Sequence, residues 1–287
     1  MAHYYQEGII QEIADYVGDS LGLAQKGKAA QADMILLSGV YFMGETVKIL
    51  NPEKKVVVPD AEAGCSLADN CPADKFKSYL AKHPDHTVVT YVNCSAEVKA
   101  LSDILCTSSN AVRVIESIPK DKPILFAPDK HLGNYLVKKT GRQMLLWDGA
   151  CIVHELFDAK TIVSMQAQNP EALVIAHPEC PEPVLDLADH IGSTSSLIEY
   201  SKTSDAMEFI VVTEAGIIHQ MRKANPNKTF HAAPNNENCN CAECPYMRLN
   251  TLEKIRNCLR DETPEIIIPE ETRVKALLPL ERMLALG

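Results

Sequence analysis

The sequence predicts an α/β protein made of three copies of one structural unit, each with a parallel sheet covered by helices on both faces. Two observations lead to this prediction. Short strands rich in β-branched residues alternate with amphipathic helices, which is the pattern of parallel sheets. In addition, one segment occurs three times, starting at residues 2, 90 and 176, so that each copy takes roughly 86 residues. A unit of that size is marginally stable alone, and we therefore expect the copies to pack tightly.

The three segments share an aspartate and, at fixed distances from it, polar residues and one cysteine. The aspartates are Asp15, Asp103 and Asp189. The shared positions are His3, Tyr91 and His177 at 12 residues before the aspartate, Tyr5, Asn93 and Glu179 at 10 before it, Ser20, Ser108 and Thr194 at 5 after it, and Cys65, Cys151 and Cys244 at 50, 48 and 55 after it. Residues at equivalent positions of a repeat occupy equivalent places in each structural unit. We therefore expect these side chains to meet at one central site.

The second copy shows the order of elements most clearly. It runs as strand HTVVTYV, helix SAEVKALSDIL, helix SNAVRVIESI, strand PILFAP, helix GNYLVKKT and strand MLLW. The third copy repeats this order from ALVIAH and the helix EPVLDLADHI onwards. In the first copy little precedes His3, so its N-terminal strand is expected to be missing.

The copies divide the chain into units that we expect at 1–83, 84–169 and 170–246. A C-terminal segment follows at 247–287. Its last part, EETRVKALLPLERMLAL, predicts a helix that is kinked or broken at Pro279, because proline removes a backbone hydrogen bond inside a helix. We expect this segment to pack against the first unit.

Composition and charge exclude several classes of protein. The net charge is -10 and no run of basic residues exceeds two, so the footprint of a nucleic-acid-binding protein is absent. The longest apolar run, near residues 34–43, is too short to span a bilayer, and the start of the chain does not resemble a signal peptide. We expect a cytoplasmic protein. Its ten cysteines then indicate metal or redox chemistry rather than disulfides.

The hydroxyl residues Ser20, Ser108 and Thr194 each precede an amphipathic helix. Ordinary helix capping explains any one of them. Three in equivalent positions favour a second interpretation, in which unpaired N–H groups at helix N-termini bind a carboxylate or a phosphate. An acidic protein needs such local groups to hold an anion, and we expect at least two of the three to do so.

Polar pairs follow the first strand of each copy, where the carboxyl ends of parallel strands build α/β active sites. The pairs are His3 with Tyr5, Tyr91 with Asn93, and His177 with Glu179. Glu179 is the best candidate for a general base, and His3, Tyr5 and His177 are candidate proton donors.

The cysteines allow two groupings. Cys239, Cys241 and Cys244 form a C-x-C-x-x-C motif that is typical of zinc, with Cys258 or His231 as a fourth ligand. The repeat instead brings together Cys65, Cys151 and Cys244, and three thiolates with an open coordination position favour an iron-sulfur cluster. The remaining five are expected to be small core residues: Cys71, Cys94, Cys106, Cys180 and Cys258.

Motifs along almost the whole chain resemble the quinolinate synthase A family. They are AHYYQ, IADYVGDSL, GVYFMGETVKILNPEKKV, EAGCSLAD, TYVNCSAEVKA, CTSSNA, FAPDKHLG, AHPECP, GSTSSLI and CPYMRLNTLEKI. The resemblance implies three homologous αβα-sandwich domains around a pseudo-threefold axis. It also implies a 4Fe-4S cluster on that axis, bound by Cys65, Cys151 and Cys244, with one iron open to substrate.

The resemblance further implies an iron-sulfur-dependent transferase that condenses iminoaspartate with dihydroxyacetone phosphate to quinolinate, in de novo NAD biosynthesis. Iminoaspartate could be channelled from an L-aspartate oxidase or dehydrogenase. The implied catalytic residues are Glu179, His3 and Tyr5. The implied substrate contacts are His3, Tyr5, Ser20, Tyr91, Asn93, Ser108, His177, Glu179, Ser193 and Thr194. Two alternatives remain, another hydro-lyase with an open-site cluster and a non-enzymatic zinc or redox sensor.

Overall fold

The computed structural model describes residues 1–234 and 242–287. Within these residues, every strand pair of the four sheets is parallel and helices alternate with strands, which confirms the predicted α/β class. The division into three domains about an axis stays a proposal.

The first part of the chain forms two short sheets. Its elements are β1 (Ala2–His3), α1 (Gly8–Ile13), β2 (Val17–Gly18), α2 (Ser20–Ala29), β3 (Met34–Leu36), α3 (Tyr41–Leu50), β4 (Lys55–Val57), α4 (Ser66–Asp69) and α5 (Ala73–Leu80). Strand β1 pairs with β2, and β3 pairs with β4. A hydrogen bond of 3.0 Å from the His3 amide to the Ser38 carbonyl connects the two sheets. Strand β1 has only two residues. This hydrogen bond nevertheless holds His3 beside the residues that follow β3.

The second part forms a four-stranded sheet with the order β6-β5-β7-β8. Its elements are β5 (Thr87–Tyr91), α6 (Ala96–Lys99), β6 (Ile104–Cys106), α7 (Ala111–Ser117), β7 (Ile124–Ala127), α8 (Lys130–Thr140), β8 (Leu145–Leu146) and α9 (Ala159–Gln168). The third part has the equivalent order β10-β9-β11-β12. Its elements are β9 (Leu173–Ala176), α10 (Glu182–Leu185), β10 (His190–Ile191), α11 (Thr194–Thr203), β11 (Glu208–Val212), α12 (Ile217–Ala224) and β12 (Thr229–Ala232).

Two helices predicted from the sequence are wrong in their second halves. The segments 95–105 and 182–191 each form a single helical turn, α6 or α10, and then a short strand, β6 or β10. In both places the aspartate of the repeat explains the change. The Asp103 carboxylate accepts a hydrogen bond of 2.8 Å from the Val88 amide, and Asp189 accepts one of 2.8 Å from the Val174 amide. Asp103 and Asp189 thus fix an edge strand against the central strand of their sheets, and their role is structural.

The C-terminal segment contains a 3-10 turn (Met247–Leu249), α13 (Leu252–Asp261) and α14 (Glu270–Ala285). Helix α14 continues through Pro279, so the predicted break is wrong. It packs against α3 and also against α6 and β6 of the second part, and its Met283 carbonyl accepts a hydrogen bond of 3.0 Å from the Asn110 amide group. The chain end therefore covers the boundary between the first two parts.

Candidate active site

A cavity of about 70 Å³ lies where the three parts of the chain meet. His3 and Tyr91 end the first strands of their copies, and His177 directly follows the third, so the carboxyl ends of three parallel strands face one space. Most of the residues predicted for the site line this cavity: His3, Tyr5, Ser20, Cys65, Tyr91, Asn93, Ser108, Cys151, His177, Glu179, Thr194 and Cys244. Ser193 instead lines a neighbouring cavity, which also contacts Ser108.

The capping interpretation of the hydroxyl residues is wrong for Ser20 and Thr194. The N-cap of α2 is Asp19, whose Oδ1 accepts from the Gly22 amide at 2.8 Å. The N-cap of α11 is Ser193, which accepts from the Ser196 amide. Ser20 and Thr194 are the first helical residues, so their hydroxyls are not used as caps.

His177 is neutral and has a defined tautomer. Its Nδ1 accepts a hydrogen bond of 3.4 Å from the Glu179 amide, so the proton is on Nε2, which donates to the Ser108 hydroxyl at 3.2 Å. Burial, opposed by the charge of Glu179, lowers its pKa from 6.5 to about 3. His3 has the same local geometry, because its Nδ1 accepts from the Tyr5 amide at 3.2 Å, and burial lowers its pKa to about 4.

Glu179 is a buried carboxylate with a partner on each oxygen. Its Oε1 accepts a hydrogen bond of 2.6 Å from the Tyr91 hydroxyl, and its Oε2 lies 3.1 Å from His154 Nδ1. Burial alone would raise the pKa of Glu179, but the histidine and tyrosine partners outweigh it and hold the pKa below its ordinary value. Glu179 is therefore ionised at neutral pH.

A chain of hydrogen bonds connects Tyr5 to Glu179. The Tyr5 hydroxyl lies 2.8 Å from Thr213 Oγ1, and Thr213 Oγ1 lies 2.9 Å from His154 Nε2. Since Glu179 accepts from His154 Nδ1, the Nε2 atom is an acceptor, and donation runs from Tyr5 through Thr213 to His154. Burial, together with the charge of Glu179, raises the pKa of Tyr5 well above 10, so the phenol keeps its proton at rest.

Thr213 and His154 are residues that the sequence reasoning missed. Neither occupies a shared position of the repeat. The signals that could have found them are local: Thr213 follows directly after strand β11, at a carboxyl end, and His154 lies in the motif ACIVHE, three residues after Cys151.

The thiols of Cys65, Cys151 and Cys244 come from the three copies and line the same cavity. Burial raises the pKa of all three, that of Cys244 to about 11. They lie close enough for the charge of one to affect another, since Cys244 raises the pKa of Cys65 and Cys65 raises that of Cys151. Buried thiols that disfavour their charged form fit a site where a cationic metal centre replaces the protons. The other five cysteines within the described residues, Cys71, Cys94, Cys106, Cys180 and Cys258, are buried, as predicted.

A second combination of donor groups lies beside the three thiols. The potential ligand atoms of Cys151, His154 and Glu179 are within 4.8 Å of one another. His154 and Glu179, however, have partners in Thr213 and Tyr91, whereas the sulfur of Cys151, 3.2 Å from His154 Nδ1, lines the cavity together with the other two thiols. We therefore assign Cys151 to the thiol group and His154 to the hydrogen-bond chain.

Glu214 and Arg248 support the loop that carries Cys244, and both were missed by the sequence reasoning. The buried Glu214 carboxylate accepts from the Cys244 amide at 3.3 Å, the Gly216 amide at 2.7 Å and Arg248 Nη2 at 2.9 Å. Arg248 also donates to the Tyr5 carbonyl at 3.0 Å. One ion pair thus connects the third cysteine to the turn that carries Tyr5.

The residues proposed for a zinc motif do not assemble around Cys244 in the described part of the chain. Cys239 and Cys241 lie outside the described residues. Cys258 donates to the Val58 carbonyl, and His231 faces Glu208 at 3.8 Å; neither lines the cavity of Cys244.

Asn93 offers an unused polar atom to the cavity, because its buried Oδ1 has no hydrogen-bond partner within the described structure. Within residues 1–234 and 242–287, no helix is both long and apolar enough to cross a bilayer.

Comparisons with known proteins identify the family of the chain. The family model described as quinolinate synthetase A protein matches residues 1–285. A quinolinate synthase of Synechococcus sp. is 59% identical over 100% of this chain and 90% of its own length. The quinolinate synthases of Thermosynechococcus vestitus and Synechocystis sp. are 57% and 56% identical, with the same coverage. The chain belongs to the quinolinate synthase A family.

Proposed function

We propose that this chain is a quinolinate synthase of de novo NAD biosynthesis. It condenses iminoaspartate with dihydroxyacetone phosphate and releases phosphate and two waters, which balances the atoms of quinolinate. The observation that carries the proposal is the meeting of Cys65, Cys151 and Cys244 in one cavity with the hydrogen-bond chain from Tyr5 to Glu179. The family membership over residues 1–285 supports the same activity.

The proposed cofactor is a 4Fe-4S cluster held by these three cysteines. Among the described residues three thiols line the cavity, and a soft metal centre held by them would have a position open to substrate. When bound, the cluster would supply a Lewis acid for the loss of hydroxide from the substrate.

The hydroxyl groups hold the anionic substrate groups. Ser20 and Thr194 begin α2 and α11, where free N–H groups and the helix dipole favour a carboxylate or phosphate. Ser108, which is bonded to neutral His177, adds a hydroxyl without adding charge. We expect Asn93 and Tyr91 to contact the substrate in the cavity and Ser193 to support Thr194 from the adjacent one.

Tyr5 and Glu179 move protons, with Thr213 and His154 between them. As Tyr5 takes up a proton from the substrate, its own proton passes through Thr213 to His154 Nε2, and the Glu179 carboxylate stabilises the imidazolium that forms. His3 is neutral, and its ring contacts the Tyr5 ring with 4.7 Å between centroids, so it orients the phenol.

An anaerobic assay tests the function. The purified protein, incubated with iminoaspartate and dihydroxyacetone phosphate, is expected to form quinolinate with an equal amount of phosphate. Metal content separates the alternatives: about four irons and four sulfides per chain support the cluster, and about one zinc supports a sensor. A full cluster without quinolinate formation would favour a different hydro-lyase. Faster turnover with a coupled L-aspartate oxidase or dehydrogenase than with free iminoaspartate would support channelling.

A further inference from the structure

The carboxylate of Asp19 joins the three copies of the chain at the cavity. Its Oδ2 accepts a hydrogen bond of 2.8 Å from the Ser109 hydroxyl and one of 2.7 Å from the Ser195 hydroxyl. Its Oδ1 caps α2 through the Gly22 amide at 2.8 Å. Asp19 is in the first part of the chain, Ser109 in the second and Ser195 in the third. We call this group the carboxylate tie.

The location of this carboxylate is unexpected. Asp19 is buried and lines the cavity that we assign to anionic substrates, and its charge reaches His3 and His177, whose pKa values it raises against the larger effect of burial. A negative charge in this position repels a phosphate or a carboxylate. Because this repulsion disfavours substrate binding, we expect the contacts of Asp19 to make a contribution that favours it.

The neighbours in sequence indicate the role. Asp19 directly precedes Ser20, Ser109 directly follows Ser108, and Ser195 directly follows Thr194. Each member of the carboxylate tie is therefore one peptide unit from a hydroxyl that we assign to substrate binding. Bonds of 2.7 and 2.8 Å at one oxygen fix how far apart these three backbone segments can lie.

We propose that Asp19 is a positioning residue that sets the spacing of the substrate hydroxyls on Ser20, Ser108 and Thr194 by holding Ser109 and Ser195 on one carboxylate oxygen. The inference deepens the proposed function and rests on it. Asp19 also places a negative charge at the N-terminus of α2, where the helix dipole favours one. Within the described structure its side chain bonds to Gly22, Ser109 and Ser195 and not to the hydrogen-bonded residues from Tyr5 to Glu179, so we expect its effect on binding rather than on proton transfer.

The sign of the effect on phosphate binding separates this role from simple repulsion. If Asp19 acted only as a like charge, its removal would tighten the binding of inorganic phosphate. If the carboxylate tie sets the spacing, removal weakens phosphate binding, because two charge-assisted hydrogen bonds and the arrangement they hold are lost.

The experiment uses the cluster-loaded protein and inorganic phosphate as the probe. Asp19→Ala is expected to raise the dissociation constant of phosphate, measured by calorimetry, and the KM of dihydroxyacetone phosphate by about tenfold or more. The turnover number should change much less. Asp19→Asn should be intermediate, because asparagine caps a helix as well as aspartate does but carries no charge.

Asp158→Ala is the matched control. Asp158 is the N-cap of α9 and accepts from the Thr161 amide, but it is exposed and does not line the cavity. It should lose helix stability without a change in phosphate binding. If Asp19→Ala does not fold or does not load the cluster, the double variant Ser109→Ala with Ser195→Ala replaces it, since this leaves the cap of α2 intact.

Non-additivity is the second criterion. With Asp19 present, the two serine substitutions should weaken phosphate binding several-fold; in the Asp19→Ala background they should add little. Tighter or unchanged phosphate binding in Asp19→Ala, or fully additive serine effects, would overturn the proposal. Calorimetry does not depend on turnover, so failure of the carboxylate tie is distinguishable from failure of the protein to make quinolinate.

Discussion

Glu179 contacts Tyr91 through one carboxylate oxygen and His154 through the other, so its charge serves two hydrogen-bond donors at once. This arrangement gives the residue a more specific role than its place in the repeat predicted. We propose that Glu179, instead of abstracting a proton alone, stabilises the protonated form of His154.

Glu179→Gln is the first prediction. Glutamine keeps the size of the side chain but carries no charge, so the turnover number should fall by about 10²-fold or more, while KM changes little. The iron content should stay the same. Glu45→Gln is the control, because Glu45 is also a buried carboxylate but accepts from the Ala96 amide outside the hydrogen-bond chain. Near wild-type turnover in Glu179→Gln would remove Glu179 from the mechanism.

Thr213→Val gives a second prediction at this scale. Valine has the shape of threonine without the hydroxyl that connects Tyr5 to His154, so the turnover number should fall by about 10²-fold, and Thr213→Ser should restore most of it. Thr46→Val is the control, since the buried Thr46 hydroxyl bonds only within α3, to the Phe42 carbonyl. Equal activity of the valine and serine variants at position 213 would contradict the relay.

The cysteines give the third prediction. Replacing Cys65, Cys151 or Cys244 singly by Ala should abolish the absorption near about 400 nm that is typical of iron-sulfur charge transfer, because three ligands leave no spare one. Variants of the buried Cys71, Cys94 or Cys180 should keep it. Retention of the absorption in Cys65→Ala would show that Cys65 is not a ligand and that the grouping predicted from the repeat is wrong.

At the scale of elements, the beginnings of α2 and α11 matter most. Both helices carry their cap one residue before the repeated hydroxyl, which leaves Ser20 and Thr194 free to face the cavity. The sequence located these helices well but placed the caps one residue too late. Spacing alone does not show which of two adjacent polar residues turns back to the backbone.

Ser108→Ala and Thr194→Ala test the binding role of these segments. Each should raise KM by a factor that corresponds to about 1 to 3 kcal/mol, the usual contribution of one hydrogen bond to a charged group. The iron content should stay unchanged. Ser78→Ala is a suitable control because the exposed Ser78 hydroxyl bonds only within α5, to the Asp74 carbonyl. If kinetics were unchanged in both site variants, the two hydroxyls would have no part in substrate binding.

The sequence predicted the central strands and long helices but not the edge strands. Strands β6 and β10 are hidden in runs such as SAEVKALSDIL that have helical periodicity. Their conformation depends on bonds to a distant strand, as Asp103 to Val88 shows, and no local pattern contains that information. Local signals mark Thr213 and His154 as candidates, but their hydrogen-bond connection with Tyr5 is visible only in three dimensions.

At the scale of the whole molecule, two buried ionisable residues, His177 and Glu45, change the stability of the fold in opposite directions as the pH falls. The pKa of His177 is lowered by burial from 6.5 to about 3, whereas burial raises that of Glu45 from 4.5 to about 7. The unfolded chain takes up a proton at His177 as the pH falls below 6.5, and the folded chain does not, so this histidine reduces stability in acid. Glu45 increases stability as the pH falls, because its carboxylate takes up a proton at a higher pH in the folded chain than in the unfolded chain.

Variants of these two residues give the last prediction. Between pH 7 and pH 5, His177→Gln should gain about 2 kcal/mol in the free energy of unfolding relative to the unsubstituted protein. Glu45→Gln should lose stability relative to it over the same interval. Urea unfolding at the two pH values measures both differences, and equal signs for the two variants would contradict the assignment.

The distribution of the three cavity cysteines along the chain has a consequence for synthesis. Cys65 and Cys244 are separated by most of the sequence, and α14, which covers the boundary between the first two parts, comes last. On a ribosome, the complete thiol set exists only after nearly the whole polypeptide has been translated. A cluster bound by all three thiols would therefore form late in the life of the nascent chain, and truncated products would lack at least one of the proposed ligands.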